Sequence, residues 1–341
     1  MTRTECGHAA GKCISHKLTV ALSVMALLAS ASVHGAQTGK GADDFPARAV
    51  RWVVPFAPGA SNDVIARVVA QKLTEIWGQQ VLIDNRGGAG GMLGADIVAK
   101  AQPNGYTMLM ANPGANAINF ALRTKTPYRA EDFAAVSLLG WSPILLVTSA
   151  GFQANSVKDI IAMAKARPGQ LSAGSSGTGG SSHLALEFFK MLAGVDILHI
   201  PYKGASPAIV DMMAGQSQLI FTTSATAAPL VTAGKLKVLA TAGDKRLSLY
   251  PSVPTTTEQG LPGYDVLIWF GVSVPAATPR SVVLKLNSGF QMALDSAEIK
   301  ERFAFLGLQP QGGPPERFAK FLLEEVDRWS KVVKAANVRS E

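Results

Sequence analysis

Two stretches of the sequence combine small residues with the start of a helical pattern. Residues 55–63 (PFAPGASND) follow a short apolar run at 52–54 and lead into Ser61, Asn62 and Asp63. Residues 173–183 (AGSSGTGGSSH) show the same arrangement more than a hundred residues later. A helix that begins at the carboxyl edge of a sheet presents unpaired N–H groups and the positive end of its dipole. Each stretch therefore predicts an anion seat, and two seats on separate lobes predict a clamp for a carboxylate.

The first stretch is interpreted as a ligand-binding loop followed by a structural carboxylate. We expect Asp63, in the first helical turn, to stabilise the helix start. A carboxylate that pointed at a bound anion would repel it, so Asp63 is predicted to be structural. The residues predicted to contact the ligand are Phe56, Pro58, Gly59, Ala60, Ser61 and Asn62.

The second stretch contains more small residues than a simple connection needs. Its glycines allow close approach of a ligand to the backbone, and its hydroxyl groups stand beside a helix start. The residues predicted to contact the ligand here are Gly177, Thr178, Gly179, Gly180, Ser181 and Ser182. His183 lies inside the following helix, where we expect it to cap or pack.

A nucleotide site is the main alternative for these glycines. The segment GTGGSS lacks the lysine of a phosphate-binding loop, and no register of it fits the pattern G-x-G-x-x-G. A second glycine cluster at 87–94 (GGAGGMLG) fails the same comparison. We expect that cluster to form a turn with tight helix packing.

Residues at the ends of two further strands complete the predicted cleft. Tyr202 and Gly204 follow an apolar strand beside a helix start, and Phe221, Thr222 and Thr223 end the next strand. Phe221 is equally open to interpretation as a core residue. Lys203, between Tyr202 and Gly204, is open to two interpretations. It pairs with a distal charge of the ligand, or it is a solvated loop lysine.

Catalytic and metal-binding patterns are absent from the sequence. Ser175 and Ser176 are not within a G-x-S-x-G segment, so they lack a nucleophile elbow. His199 lies in an apolar strand and is predicted to be structural. There is no H-E-x-x-H segment, and both cysteines (Cys6 and Cys13) precede residue 36. We therefore predict a protein that is not an enzyme and has no cofactor and no metal.

The amino-terminal region is typical of an exported protein. A positively charged start precedes an apolar run at 18–33 and small residues near 35, which predicts a signal peptide at 1–35 and a periplasmic location. Residues 36–44 are polar and small and are predicted to be a disordered lead-in. The net charge of +8 falls to +6 for residues 36–341, because the leader carries three basic residues and one acidic residue. The basic residues are scattered, so no nucleic-acid partner is expected.

The rest of the chain alternates between strand and helix patterns, which predicts an α/β fold with mostly parallel sheets. We expect lobe 1 to comprise 45–142 and a return segment at 268–341, lobe 2 to comprise 143–267, and hinges near 141–144 and 266–270. Strands are predicted at 50–55, 81–84, 106–110, 144–148, 171–174, 196–200, 217–222 and 267–274, and helices at 62–77, 92–101, 156–166, 182–192, 205–214, 279–294, 297–305 and 315–335.

Several longer stretches together resemble the receptors of the tripartite tricarboxylate transporter family, known as Bug-type solute-binding proteins. They include RWVVPFAPGASNDVIARVVAQKL, VLIDNRGGAGGMLGADIVAKAQPNGYTMLMAN, AGSSGTGGSSHLALEFFK, HIPYKGASPAIVDMMAGQ and PSVPTTTEQGLPGY. The resemblance covers about residues 45–338. It implies a two-lobed type II periplasmic binding-protein fold whose two loops hold a ligand carboxylate through backbone groups and ordered water. Two positions depart from the family pattern: Ala60 replaces a usual glycine, and Thr222 replaces a common acidic residue.

The expected function is that of a periplasmic receptor for a small carboxylate, which is a dicarboxylate, an aromatic acid or an amino acid. The resemblance implies delivery of this ligand to the membrane permease subunits of a tripartite tricarboxylate-type transporter, and we expect the receptor to be a monomer. Two alternatives stay open at this point. One is a periplasmic sensor that reports to a signalling partner, and the other is a secreted hydrolase.

Overall fold

The computed structural model describes residues 45–335 and Val338, which form two β-sheets flanked by helices. The leader predicted at 1–35 and the lead-in predicted at 36–44 lie outside the described residues. The predicted α/β class is confirmed. The prediction of mostly parallel sheets was wrong: among the described strands four pairs are parallel and five are antiparallel, mainly because β5 (Leu145–Ser149) and β10 (Leu267–Pro275) run against their neighbours. Within the described residues, no helix has the length and apolar character needed to cross a membrane.

The larger sheet has six strands and mixed strand directions. In spatial order its strands are β11 (Gln309–Pro310), β4 (Phe133–Pro143), β10 (Leu267–Pro275), β3 (Thr107–Ala111), β1 (Val50–Val54) and β2 (Val81–Asn85). Strand β1 is parallel to β2 and β3, whereas β10 runs antiparallel to β3 and β4.

The smaller sheet has five strands and is also mixed. In spatial order its strands are β7 (Leu198–Pro201), β6 (Ser172–Ser175), β8 (Leu219–Thr222), β5 (Leu145–Ser149) and β9 (Leu236–Thr241). Strand β6 is parallel to β7 and β8, and β5 runs antiparallel to β8 and β9. In both sheets the parallel strands are those followed by the helix starts of interest.

Ten α-helices connect these strands in the described residues. They are α1 (Ser61–Trp77), α2 (Met92–Ala99), α3 (Asn119–Leu122), α4 (Val157–Ala166), α5 (Ser181–Ala193), α6 (Ala205–Met213), α7 (Ser224–Thr232), α8 (Arg280–Asp295), α9 (Ala297–Phe305) and α10 (Pro315–Ala335). Every strand and helix predicted from the sequence is present within two residues of its predicted bounds. Strands β4, β9 and β11 and helices α3 and α7 were not predicted.

Helix α1 shows why these sequences form these elements. Its residues Ile65, Val69 and Leu73 recur at helical spacing and are fully buried against the six-stranded sheet. The helix ends at Gly78, whose φ of 62° lies in the left-handed region that glycine adopts readily. The apolar face of α1 thus fixes the direction in which its first turn points.

The chain passes between the two sheets twice, and the two connections lie side by side. Strand β4 ends at Pro143 and β5 begins at Leu145, and the return runs from β9 to β10. The N–H of Ile144 donates to the carbonyl of Val266 at 3.0 Å, and the N–H of Ala242 donates to the carbonyl of Ile144 at 2.8 Å. The two connections lie at the positions where hinges are predicted from the sequence.

Candidate functional site

Four helices begin around one cavity between the two sheets. Helix α1 follows β1 of the six-stranded sheet, whereas α5, α6 and α7 follow β6, β7 and β8 of the five-stranded sheet. The empty space at this site, part of which is open to solvent, is about 400 Å³. It is lined by Phe56, Ala60, Ser61, Asn62, Ile144, Ser176, Ser181, Ser182, Ala205, Phe221, Thr222, Thr223, Ile268 and Phe270. Among the described residues, none of those that line it carries a charged side chain.

The first N–H groups of α1 and α5 are available to a ligand. In α1 the N–H of Asp63 donates to the carbonyl of Ala60 at 2.8 Å, but the N–H groups of Ser61 and Asn62 have no acceptor within the described residues. In α5 the N–H groups of Ser181 and Ser182 are likewise without an acceptor in the described part of the chain. Because the helix dipoles add positive potential at the same ends, both starts favour an anion.

Asp63 holds the first loop from behind and does not line the cavity. Its side chain is 3% exposed and accepts hydrogen bonds from the N–H of Gly59 and from Nδ2 of Asn85, both at 2.9 Å. Nε of Arg67 donates to both carboxylate oxygens at 3.0 Å. The negative charge of Asp63 is therefore neutralised inside the protein, and its action on a ligand is through the shape of the loop.

The N–H groups of the three glycines in the loop at 177–180 have acceptors within the protein. Gly177 donates to Oγ of Ser175 at 3.0 Å, Gly179 donates to Nδ1 of His183 at 3.2 Å, and Gly180 donates to the carbonyl of Gly177 at 2.8 Å. These glycines do not line the cavity. Their contact with a ligand stays a prediction. In the described part of the chain, the N–H groups of Thr178, Ser181 and Ser182 have no acceptor, and of these three residues Ser181 and Ser182 line the cavity.

Two neutral histidines support this loop. The rings of His183 and His199 stack with centroids 4.1 Å apart. Burial, with smaller contributions from His199 and Lys190, lowers the pKa of His183 to about 3. Burial, with the charge of Lys190, lowers the pKa of His199 to about 4. Both rings are therefore uncharged at neutral pH, which leaves Nδ1 of His183 free to accept the N–H of Gly179.

The structure brings Ser175 and His199 together, a pairing that the sequence did not indicate. Oγ of Ser175 and Nε2 of His199 are 2.6 Å apart. The same hydroxyl accepts the N–H of Gly177 at 3.0 Å, so Ser175 links His199 to the glycine loop. Ser175 is fully buried and does not line the cavity, so a substrate cannot reach it. The pair holds the loop and lacks the access that a nucleophile requires.

Backbone and hydroxyl contacts join the two halves around the cavity. The N–H of Ala57 donates to the carbonyl of Lys203 at 3.1 Å. Oγ of Ser61 lies 2.6 Å from Oγ1 of Thr223 and 2.7 Å from Oγ1 of Thr226. The structure therefore places residues that follow strands of the two sheets in direct contact around the cavity.

The glycine cluster at 87–94 takes part in this contact. A Cβ atom built on Gly90 would lie 2.5 Å from the carbonyl oxygen of Thr178 and 2.8 Å from backbone atoms of Gly179 and Gly180. A Cβ atom on Gly87 would lie 2.7 Å from the carbonyl oxygen of Lys203. The turn predicted for the cluster is present as a short 3₁₀ segment at Ala89–Gly91, and its glycines pack against the other half of the molecule.

Half of the residues predicted to contact the ligand line the cavity. These are Phe56, Ala60, Ser61, Asn62, Ser181, Ser182, Phe221 and Thr223, together with the candidate Thr222. The others lie next to it and do not line it: Pro58, Gly59, Gly177, Thr178, Gly179, Gly180, Tyr202 and Gly204. Lys203 is exposed and also lies outside the lining.

Five lining residues were missed: Ile144, Ser176, Ala205, Ile268 and Phe270. Ile144 lies in the connection between β4 and β5, and Ile268 and Phe270 lie in the first half of β10; all three are within the predicted hinge ranges. A strand at a hinge lies at the base of the cleft, so the predicted hinge positions could have indicated these lining residues. Ala205 begins α6, and its small side chain gives no signal in the sequence.

Comparison with known proteins gives a consistent assignment. The sequence profile described as "Tripartite tricarboxylate transporter family receptor" matches residues 65–338. Protein BugT of Bordetella pertussis (strain Tohama I) is 36% identical over 300 residues, which cover 87% of this chain and 92% of BugT.

Two solved structures show the same fold. That of the periplasmic binding protein BugD superposes with a TM-score of 0.84 at 32% identity, covering 87% of this chain and 100% of BugD. The structure of R. palustris Rpa4515 with adipate superposes with a TM-score of 0.83 at 36% identity. The match covers 86% of this chain and 99% of the Rpa4515 chain. The predicted periplasmic binding-protein fold is thereby confirmed. The cavity between two sheets, the helix starts around it and these matches lead to one conclusion: the chain belongs to the tripartite tricarboxylate transporter receptor family.

Proposed function

We propose that the protein is a periplasmic receptor that captures a small carboxylate between two lobes and delivers it to a tripartite tricarboxylate-type permease. Lobe 1 comprises 45–142 and 268–341, and lobe 2 comprises 143–267. The observation that carries this proposal is the set of unpaired N–H groups from both lobes around one cavity without charged side chains. Such a site offers donors to an anion and no competing carboxylate.

The similar proteins support the class of ligand and the class of partner. Rpa4515 was solved with adipate, a small carboxylate, and the matched family is named for a transporter. Export is supported by the predicted signal peptide and by the periplasmic setting of BugD. A role without catalysis is supported by the burial of Ser175, which keeps the Ser–His pair away from the cavity.

Hydrogen bonds from backbone N–H groups can supply enough binding free energy for a site without charged side chains. A micromolar complex requires about 8 kcal/mol. Each hydrogen bond to a charged group contributes roughly 1.5–3 kcal/mol. Four donors, from Ser61, Asn62, Ser181 and Ser182, together with burial against Phe56 and Phe221, reach that range after the cost of association.

A proline substitution tests the N–H donors directly. Ser181 is the first residue of α5, where proline fits because its missing N–H has no partner inside the helix. Gly180 before it is extended, at φ −77° and ψ 162°, as the residue before a proline prefers. We expect Ser181→Pro to weaken carboxylate binding by tenfold or more while the fold is kept. Ser181→Ala, which keeps the N–H and removes only the hydroxyl, is the matched control and should bind within a few-fold of the wild type.

The ligand class is tested by thermal shift with dicarboxylates, aromatic acids and amino acids, each compared with its uncharged amide. We expect at least one carboxylate to raise the melting temperature and its amide to have no effect. Mass spectrometry of the purified protein should recover a carboxylate. Equal stabilisation by acids and amides, or equal binding by Ser181→Pro and Ser181→Ala, would contradict the proposal. Delivery is tested by uptake into cells with and without the permease.

A further inference from the structure

Asn62 is a buried polar side chain without a partner in the cavity wall. Its exposed fraction is 8%, it lines the cavity, and its Oδ1 atom is buried with no hydrogen bond within the described residues. Its Nδ2 atom makes no hydrogen bond in the described part of the chain either. Buried amide groups in folded proteins are nearly always paired, so one without a partner at a ligand site indicates a group that the ligand supplies.

Among the described residues that line the cavity, Asn62 has the only fully buried side-chain oxygen or nitrogen atom without a partner. Oγ of Ser61 is bonded to Thr223 and Thr226, and Oγ of Ser176 lies 2.8 Å from Oγ of Ser182. These pairs exist without a ligand. The carboxamide of Asn62 is therefore the side-chain group of α1 that is open to recognising a ligand.

We infer that the ligand carries an uncharged hydroxyl group within one or two bonds of its carboxylate and that Asn62 selects for it. The inference rests on the proposed function, because the N–H of Asn62 is one of the donors assigned to the carboxylate. A group that reaches the side chain of the same residue must lie close to that carboxylate. A hydroxyl both donates and accepts, so it satisfies the carboxamide whichever way the amide is turned.

An amino group in this place would be poorly accommodated. An ammonium ion loses its hydration on burial and then needs a carboxylate partner. Among the described residues, the cavity lining offers none, and the nearest acidic side chain in the sequence, Asp63, is engaged by Gly59, Asn85 and Arg67. The site should therefore discriminate a 2-hydroxy acid from the amino acid of the same shape.

Matched triads of ligands test this selection with the full protein. Each triad keeps the tail and changes the group on C2 from hydrogen to hydroxyl to ammonium: propanoate, lactate and alanine; succinate, malate and aspartate; 3-phenylpropanoate, 3-phenyllactate and phenylalanine. We expect the hydroxy acid of the best-fitting tail to bind about tenfold or more tightly than its two relatives, measured by calorimetry. The tails cover small, acidic and aromatic bodies, so the comparison does not depend on knowing the remainder of the ligand.

The variant Asn62→Leu then assigns the preference to this side chain. It keeps the backbone N–H and removes the carboxamide, so the affinity ratio between hydroxy acid and unsubstituted acid should fall from about ten to near one. An unchanged ratio, or a wild-type protein that binds the amino acid or the unsubstituted acid as tightly as the hydroxy acid, overturns the inference while the proposed function stands. Failure of every carboxylate in the triads to bind overturns both.

Discussion

Replacing Gly90 by alanine should hold the two lobes apart. The added Cβ would lie 2.5 Å from the carbonyl oxygen of Thr178, whereas ordinary contacts begin near 3.4 Å. The loops must therefore separate locally by about 0.9 Å, the difference between those distances. The neighbouring atoms belong to the backbone of 178–180, so no side chain can move aside to relieve the clash. A shift of this size breaks or lengthens the hydrogen bond between Ala57 and Lys203, which is 3.1 Å long.

The expected consequence is a loss of ligand affinity by about tenfold, since about 1–2 kcal/mol of contacts between the lobes no longer form in the closed state. The assay is calorimetric titration with the carboxylate that gives the largest thermal shift. Gly78→Ala is the matched control, because Gly78 has φ +62° against +63° for Gly90 and no atom within 4 Å of its Cβ position. Both variants lose stability from the positive φ, but only Gly90→Ala should lose affinity. Equal affinities of the two variants would refute the role of this contact.

Three further predictions concern pH and buried charges. Burial lowers the pKa values of His183 to about 3 and of His199 to about 4, so the unfolded chain binds more protons below pH 6.5. The free energy of unfolding should fall by roughly 1–2 kcal/mol per histidine as the pH drops from 6.5 to 5. Urea titrations at the two pH values measure this fall. The double variant with glutamine at both positions should lose most of this dependence on pH. Asp63→Asn should lower the free energy of unfolding by about 1–2 kcal/mol and weaken ligand binding, because the N–H of Gly59 loses a charged acceptor. Unchanged ligand binding would argue against this role of Asp63. Glu325→Leu should lower the free energy of unfolding, measured in urea, by about 2–4 kcal/mol, because it leaves the buried indole N–H groups of Trp269 and Trp329 unpaired. A loss below about 1 kcal/mol would contradict this prediction.

The elements with strong local patterns were predictable from the sequence. Helices α1 and α10 follow from apolar residues at helical spacing, and the first ends at the expected glycine. Strand β4 was missed because its sequence, FAAVSLLGWSP, has no clear alternation and is buried along most of its length. It is a strand because it pairs with β10, which lies more than a hundred residues away. Helix α7 was missed because Pro229 lies inside it.

The site was predictable to the level of helix starts and not to the level of individual donors. Strand–turn–helix patterns located the starts of α1 and α5 and their loops. Which N–H groups remain open depends on side chains that fold back on the loop, such as His183 and Ser175. These two contacts span only two and four residues, but both side chains are held in place by His199 on another strand, which hydrogen-bonds to Ser175 and stacks on His183. Local sequence does not indicate that third residue. The sequence also does not indicate which part of the opposite lobe contacts each loop.

The two glycine clusters fail the nucleotide-binding patterns for a structural reason. The cluster at 87–94 and the loop at 177–180 lie against one another across the cleft, at distances that exclude any Cβ atom at Gly90. Glycines in a phosphate loop make room for a phosphate, whereas these glycines make room for the backbone of the other lobe. Close contact brings the starts of α1 and α5 to the same small cavity, so their dipoles add positive potential in the same place. In the proposed function this potential takes the place of lysine and arginine side chains, which are absent from the lining described here.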